Sequence, residues 1–324
     1  MFVVTGGAGF IGSHLVRGLN RRGADNIMIV DDANGSAKQR NLDGCHFRDM
    51  IPIAAFPSLL QNGKFRKSIT TLFHQGAITD TLASDTSRLM VRNFEYSKEL
   101  LNHAVTQRIP FVYASSAAVY GAGPMFSEDA VNEAPLNGYG WSKLYFDRYV
   151  RTILPAADST VVGLRYFNVY GKNERHKGRM ASMVFQAGQQ VQRHGRVRLF
   201  AGTGGVADGE QRRDFVSVED VVDVNLFFAM GNRKGGLYNV GTGCSRSFNE
   251  IAQIWISHLG TGEVAYFRMP DPIRETYQNL TQADLTKLRS AGYKKAFMSA
   301  EEGIAAMAAD CPSSNRVEPL VASI

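Results

Sequence analysis

The chain predicts an α/β fold with a doubly wound parallel sheet, helices covering both of its faces. Three observations carry this reading. Short apolar runs of strand length alternate with longer stretches of helical spacing through the first half of the chain. The first run, Phe2-Val3-Val4-Thr5, passes into the glycine-rich turn Gly6-Gly7-Ala8-Gly9-Phe10-Ile11-Gly12 and then into a helical pattern from Ser13 to Arg22. The second run, Ile27 to Val30, ends on Asp31-Asp32. Strand, glycine turn, helix and a following acid, in that order, make the dinucleotide fingerprint of a Rossmann fold.

Each residue of that turn has a physical role. Gly6 lets the chain turn sharply, Gly9 leaves room for a pyrophosphate against the backbone, and Gly12 lets helix and strand pack closely. Phe10 and Ile11 complete the cofactor-binding turn. The pyrophosphate is expected at the helix N-terminus, where unpaired N–H groups and the dipole favour negative charge. Asp31 and Asp32 stand where an acid bonds the adenosine ribose, and Lys38 and Arg40 just beyond can neutralise a 2′-phosphate. Both NAD and NADP therefore stay open on these residues.

The remaining elements follow in order. Phe47 to Ile51 reads as a strand, Phe56 to Leu60 as part of a helix, and Thr70 to His74 as a buried strand. Ligands of an open parallel sheet bind beyond the strand C-termini, so Gln75, Gly76 and Ala77 are expected to line the cofactor. His74 reads as a strand-end residue, with no carboxylate partner evident in the sequence. Leu89 to Thr106 reads as a helix, with Asn93 near its start as a further cofactor contact. Pro110 to Ala114 is the next strand, ending in Ser115-Ser116-Ala117-Ala118-Val119-Tyr120-Gly121, and Thr160 to Arg165 another. Beyond it the alternation loosens. A polar, basic loop covers 171–179, a helix Met180 to His194, a strand Val197 to Phe200 and a glycine-rich turn 203–211. Arg213 to Val216 leads into a helix opened by Ser217. Leu237 to Gly243 returns to strand and turn, Phe248 to Leu259 is helical, Thr281 opens a short helix, and residues 311–324 read as a loose tail.

Tyr139 and Lys143 bring chemistry to this frame. At four residues' spacing on a helix they share a face. Leu144, Phe146, Tyr149, Val150 and Ile153 give that helix its apolar positions, and Pro155 follows it. A phenol is a poor base at neutral pH, and an ammonium beside it lowers its pKa. Ser116, at the end of its strand, can converge with Tyr139 and Lys143 on one point near a nicotinamide.

Composition limits the other classes. A 44% apolar and 10% aromatic content gives a chain of 324 residues enough material for one large core or two ordinary ones. The formal charge of +6 is spread in short clusters, which argues against nucleic acid and suits an anionic small substrate. The three cysteines have no metal-ligand or redox spacing, so no metal is expected and a reducing, cytoplasmic setting is. No apolar stretch reaches the ~18 residues of a membrane span.

The strings Thr-Gly-Gly-Ala-Gly-Phe-Ile-Gly at 5–12, Ser-Ser-Ala-Ala-Val-Tyr-Gly at 115–121, the Tyr139/Lys143 pair and Arg165-Tyr166-Phe167-Asn168-Val169-Tyr170-Gly171 resemble the extended short-chain dehydrogenase/reductase family. Within it, Phe94 to Leu101, His176-Lys177-Gly178 with Met180-Ala181-Ser182, Arg213-Asp214-Phe215-Val216 and Thr281 to Thr286 resemble the branch that epimerises C6 of an ADP-linked heptose for the inner core of lipopolysaccharide. That resemblance implies a Rossmann domain over 1–167, re-entered around 213–241. It implies a smaller substrate domain over 168–310, bound NADP, a 6-keto intermediate and a homo-oligomer, a pentamer. It makes Tyr139 one acid/base, with Lys143 and Ser116 beside it, and Lys177 a second on the opposite face. It places Asn168, Val169, Phe200, Arg213 and Tyr277 against substrate, Arg213 at the diphosphate. Arg179 and Gln186 occupy substrate-loop positions where the family has Ser and His. Asp32 stands where Asn is frequent, and Ile53 where some members have lysine. A second acid repels a 2′-phosphate, so NAD stays admissible beside NADP. The rivals are a UDP-sugar 4-epimerase, which needs only Ser116, Tyr139 and Lys143, and a non-catalytic dinucleotide sensor. A dehydratase would need an Asp-Glu pair where this chain has Ala117 and Ala118.

Overall fold

β1, Phe2–Thr5, is the strand on which the molecule is assembled. The computed structural model describes residues 1–32, 36–65, 67–81, 85–231, 233–274 and 277–309. The tail expected over 311–324 lies outside them.

β1 leads into helix α1 (Phe10–Asn20), β2 (Ile27–Val30), α2 (Ser36–Arg40), β3 (Asp49–Ile51), α3 (Phe56–Gln61) and β4 (Thr71–His74). Next come α4 (Thr86–Leu89), a π-helical turn over Met90–Glu95, α5 (Tyr96–Thr106), β5 (Phe111–Ser116), α6 (Gly138–Ile153), β6 (Val161–Tyr166) and β7 (Asn168–Tyr170). The chain continues through α7 (Met183–His194), β8 (Arg196–Phe200), β9 (Arg212–Arg213), β10 (Phe215–Ser217), α8 (Val218–Ala229) and β11 (Gly236–Val240). It closes with β12 (Arg246–Ser247), α9 (Phe248–Leu259), β13 (Glu263–Phe267), α10 (Asp271–Arg274), α11 (Thr286–Ser290) and α12 (Ala300–Ala308).

Seven strands form one parallel sheet in the order β3-β2-β1-β4-β5-β6-β11. A sheet buried on both faces needs continuous apolar runs rather than alternation, and Val3, Val4, Leu72, Phe73, Val161 and Val162 supply them. One face packs on α1 and α8 through Leu15, Leu19, Val222 and Leu226. The other packs on α3, α5 and α6 through Phe56, Leu100, Leu101 and Phe146. The strand order reverses between β1 and β4, and a crevice opens there. Beside the sheet, β8 pairs with β13, and α7, α9 and α12 pack around Val184, Phe215, Trp255 and Ile304. No helix of the described residues is long and apolar enough to cross a membrane.

Several boundaries differ from the sequence expectation, each for a local reason. α1 starts at Phe10 rather than Ser13, because the glycine turn itself forms the first helical turn. α7 starts at Met183 rather than Met180: Gly178 turns the chain at φ 52°, and the Ser182 hydroxyl accepts from Phe185 N–H to cap the helix. The helix expected from Thr281 begins at Thr286, since the Asp214 carboxylate accepts the Ala283 N–H and holds that segment extended.

Candidate active site

The C-terminal ends of the sheet strands open onto one cavity of about 1240 Å³. Gly6, Gly9, Phe10, Ile11 and Gly12 line it after β1, Asp31 and Asp32 after β2, and Gln75, Gly76 and Ala77 after β4. Ser116 from β5, Tyr139 and Lys143 from α6, and Asn168 and Val169 after β6 complete the inner wall. The segment carrying Lys177 and Arg179 closes the far side.

The glycine turn is built for a dinucleotide. Gly6 sits at φ +67°, and a Cβ on Gly12 would lie 2.0 Å from the Gly6 carbonyl oxygen. α1 opens at Gly9 with no side-chain cap and no acid in its first turn, which suits a pyrophosphate there. Asp31, buried, accepts from Ala8 N–H at 3.0 Å and from Lys38 Nζ at 2.9 Å. Asp32 accepts from Ile53 N–H, with Arg92 at 3.8 Å. Each acid at the ribose end is thus faced by a cation, and the repulsion expected between Asp32 and a 2′-phosphate is moderated by Arg92.

Around Tyr139, burial governs. It raises the phenol's pKa, and the Ser116 hydroxyl works against it. The sequence leads one to expect the lysine to lower that pKa. The Lys143 Nζ donates to the Ala114 carbonyl at 2.8 Å and lies 6.0 Å from the Tyr139 ring centroid, so it faces the phenol as a nearby charge. Burial also lowers Lys143 to about 8, with Asp147 opposing. The Ser116 hydroxyl accepts from Ala118 N–H at 3.2 Å.

Lys177 reaches Glu174 at 3.2 Å and lies 4.9 Å above the Phe10 ring. Glu174 is fully buried, and it also accepts from Gly171 N–H, Ser182 N–H and the Ser182 hydroxyl. Arg179 pairs with Asp80 at 2.7 Å.

Six residues singled out from the sequence are not on the wall of this cavity; one of them, Arg40, lines a separate cavity with Asn41 and Arg175. Gln186 turns its amide onto the Arg179 and Ala181 carbonyls and so holds the loop. Asn93 is buried behind the wall in the π-helical turn, where it clamps both backbone groups of Ile78 and donates to Ser142 Oγ at 3.0 Å. Phe200, Arg213 and Tyr277 gather elsewhere: Phe200 and Tyr277 meet edge to face at 5.7 Å, and the Arg213 guanidinium lies 5.0 Å from the Tyr277 ring. Among the described residues no carboxylate pairs with Arg213, and burial lowers its pKa.

The sequence reading does not give the supporting contacts of three groups, one of which, Gln75, it already expects beside the cofactor. His74 bridges Thr5 and Ser97, at 2.7 Å each, and burial lowers it to about 3, so it stays neutral. Gln75 is held by Asn225 and Tyr166. Glu174, three residues before Lys177, was visible as an i, i+3 pair.

Residues 2–241 match the NAD dependent epimerase/dehydratase family. The ADP-L-glycero-D-manno-heptose-6-epimerase of Alkalilimnicola ehrlichii is 46% identical over 94% of this chain and 95% of its own. The crystal structure of the Helicobacter pylori ADP-L-glycero-D-manno-heptose-6-epimerase is 33% identical, with a TM-score of 0.83 over 95% of each chain. The UDP-glucose 4-epimerase of Thermotoga maritima, solved with UDP-glucose, is 26% identical, with a TM-score of 0.79 over 94% of this chain and 96% of that one. A dinucleotide turn, a Tyr/Lys helix facing it and relatives aligned end to end place this chain in the NAD dependent epimerase/dehydratase family, among the ADP-L-glycero-D-manno-heptose-6-epimerases.

Proposed function

We propose that the chain converts ADP-D-glycero-D-manno-heptose to ADP-L-glycero-D-manno-heptose by inverting C6. The observation that carries this reading is that Tyr139 and Lys177 come from two different walls of one cavity that also holds the dinucleotide turn. The 46% identity to a curated 6-epimerase over 94% of the chain supports the substrate.

A nicotinamide dinucleotide, NADP with NAD admissible, would supply the oxidation and the return of the C6 hydrogen, held by the 6–12 turn, Asp31, Lys38 and Gln75 to Ala77. Inverting a carbinol needs the C6 hydroxyl proton removed on one orientation of the ketone and returned on the other. Two acid/base groups on opposite walls let each orientation of the ketone meet its own proton donor or acceptor, which one fixed phenol does less easily. Tyr139 holds and moves the proton on its side, oriented by Ser116. The Lys143 charge favours the phenolate that burial disfavours. Lys177 serves the opposite orientation, with Glu174 fixing its ammonium. Asn168 and Val169 border the reacting sugar. Arg213, off the cavity wall between Tyr277 and Phe248, is a buried cation with no carboxylate partner among the described residues, of the kind that a diphosphate would neutralise.

The same reading divides the chain into a cofactor domain over 1–167, re-entered at 213–241, and a substrate domain over 168–310. It makes the enzyme a cytoplasmic homo-oligomer, a pentamer by family likeness. The test is a proton-NMR time course of purified protein with ADP-D-glycero-D-manno-heptose and no added cofactor. Appearance of the L-glycero epimer supports the reading. Unchanged substrate, even with NADP⁺ and then NAD⁺ supplied, overturns it.

A further inference from the structure

Behind the Tyr139/Lys143 pair lies a buried ionic cluster that the proposed chemistry does not use. Tyr139, Lys143 and Asp147 are spaced four residues apart along α6, so they share one face. Lys143 looks out to the cavity, whereas Asp147 is fully buried against the sheet. The Asp147 carboxylate accepts from the Tyr113 hydroxyl at 2.8 Å, the Ser115 hydroxyl at 2.9 Å and Arg165 Nε at 2.9 Å. Tyr113 and Ser115 flank Ala114, whose carbonyl takes the Lys143 ammonium. Arg165, also fully buried, continues from β6 to Glu133, which Arg151 holds from the last turn of α6. Its guanidinium also lies 5.0 Å from the Tyr120 ring.

The cost of burying such charges is high unless every partner is in place, so the cluster fixes geometry more surely than it adds stability. What it fixes is the position of the catalytic helix against the strand that ends in Ser116. We propose that Asp147 is a positioning residue for the reaction: its carboxylate locks α6 to the Ser115–Ser116 strand end and supplies the negative charge that keeps the Lys143 ammonium charged in its buried setting. This inference rests on the acid/base role proposed for the Tyr139/Lys143 pair. The charged and titratable groups around the two side chains are Tyr139 and Arg151 on α6, His74 on β4, Tyr113 on β5, Arg165 on β6 and Glu133 in the preceding loop. His74 is neutral, and Arg165 is divided between Asp147 and Glu133. Glu133 is held by both Arg151 and Arg165, whereas Asp147 lies one turn from Lys143 on the same face of α6, and its charge favours the ammonium form.

Asp147→Asn removes the charge and keeps the shape, since its amide can still accept from Arg165 and Ser115 and donate to Tyr113. Two readouts are taken on the full-length protein. The first is the Lys143 midpoint from ¹³C-lysine NMR, assigned by the signal missing in Lys143→Met, which needs no substrate. The second is kcat and KM against pH in the NMR epimerisation assay. We expect the Lys143 midpoint and the alkaline limb of kcat to move down together by about one pH unit, with KM little changed. Near pH 8 that lowers kcat about fivefold. Asp147→Glu, which restores the charge, should bring the midpoint back. A midpoint unmoved in Asp147→Asn overturns the proposal, as does a loss of kcat with an unshifted limb, which marks a merely structural role. Should Asp147→Asn not fold, Asp147→Ser takes its place with the same expected shift. A wild type inactive on ADP-heptose would overturn the epimerase reading and leave the Lys143 midpoint to decide this one.

Discussion

At Tyr139 two opposed forces meet in one side chain. Burial raises the phenol, while its hydroxyl neighbour Ser116 lowers it. The sequence made the Tyr139/Lys143 pair legible through its spacing alone, because i, i+4 neighbours on a helix share a face. It did not show that the ammonium is tied to the Ala114 carbonyl, since that contact joins residues far apart in the chain. Nor did it show that Arg213 is buried against Tyr277 with no carboxylate partner among the described residues, which depends on segments distant in the chain. Tyr139→Phe should lower kcat by about 10²–10⁴-fold, the usual share of general acid–base catalysis, with bound dinucleotide retained in the absorbance spectrum. An undiminished rate would remove Tyr139 from the chemistry. Lys38→Ala should weaken NADP⁺ about tenfold or more by loss of a charge-assisted contact, and NAD⁺ much less, as read by calorimetric titration.

At the scale of elements, the helix α6 carries the pH behaviour. Burial lowers Lys143 from the ordinary lysine range to about 8. Below that pH the ammonium is present and favours the phenolate. As pH rises through about 8 the charge is lost, so kcat should fall on the alkaline side, and a flat profile to pH 10 would contradict the assignment. The glycine turn is the other decisive element. Gly12→Val would push a side chain into the Gly6 carbonyl, so dinucleotide binding should be abolished, with no nicotinamide released on denaturation. Strands and helices of the parallel sheet were legible from apolar runs and glycine punctuation. Helix starts were less so, because Gly178 and the Ser182 cap, not apolar spacing, decide where α7 begins.

Across the whole molecule, the sheet's two faces and the smaller core around Trp255 hold the cavity walls in place. The doubly wound sheet could be read from strand–helix alternation, whereas the β8–β13 pairing joins segments with no shared local signal. Trp255 lies against Gly188, its indole N–H donating to the Val184 carbonyl at 2.8 Å. Trp255→Ala should cost about 3–5 kcal/mol in chemical denaturation, the range for a large buried aromatic. In the chemistry proposed, the hydrogen taken from C6 is the one returned there, with Tyr139 and Lys177 handling only hydroxyl protons. The most direct test is epimerisation run in D₂O, with the C6 position of the L-glycero product read by proton NMR. A product that keeps its full C6 proton signal is the expected result. Deuterium entering at C6 would show a carbon-bound proton lost to solvent, and would contradict it.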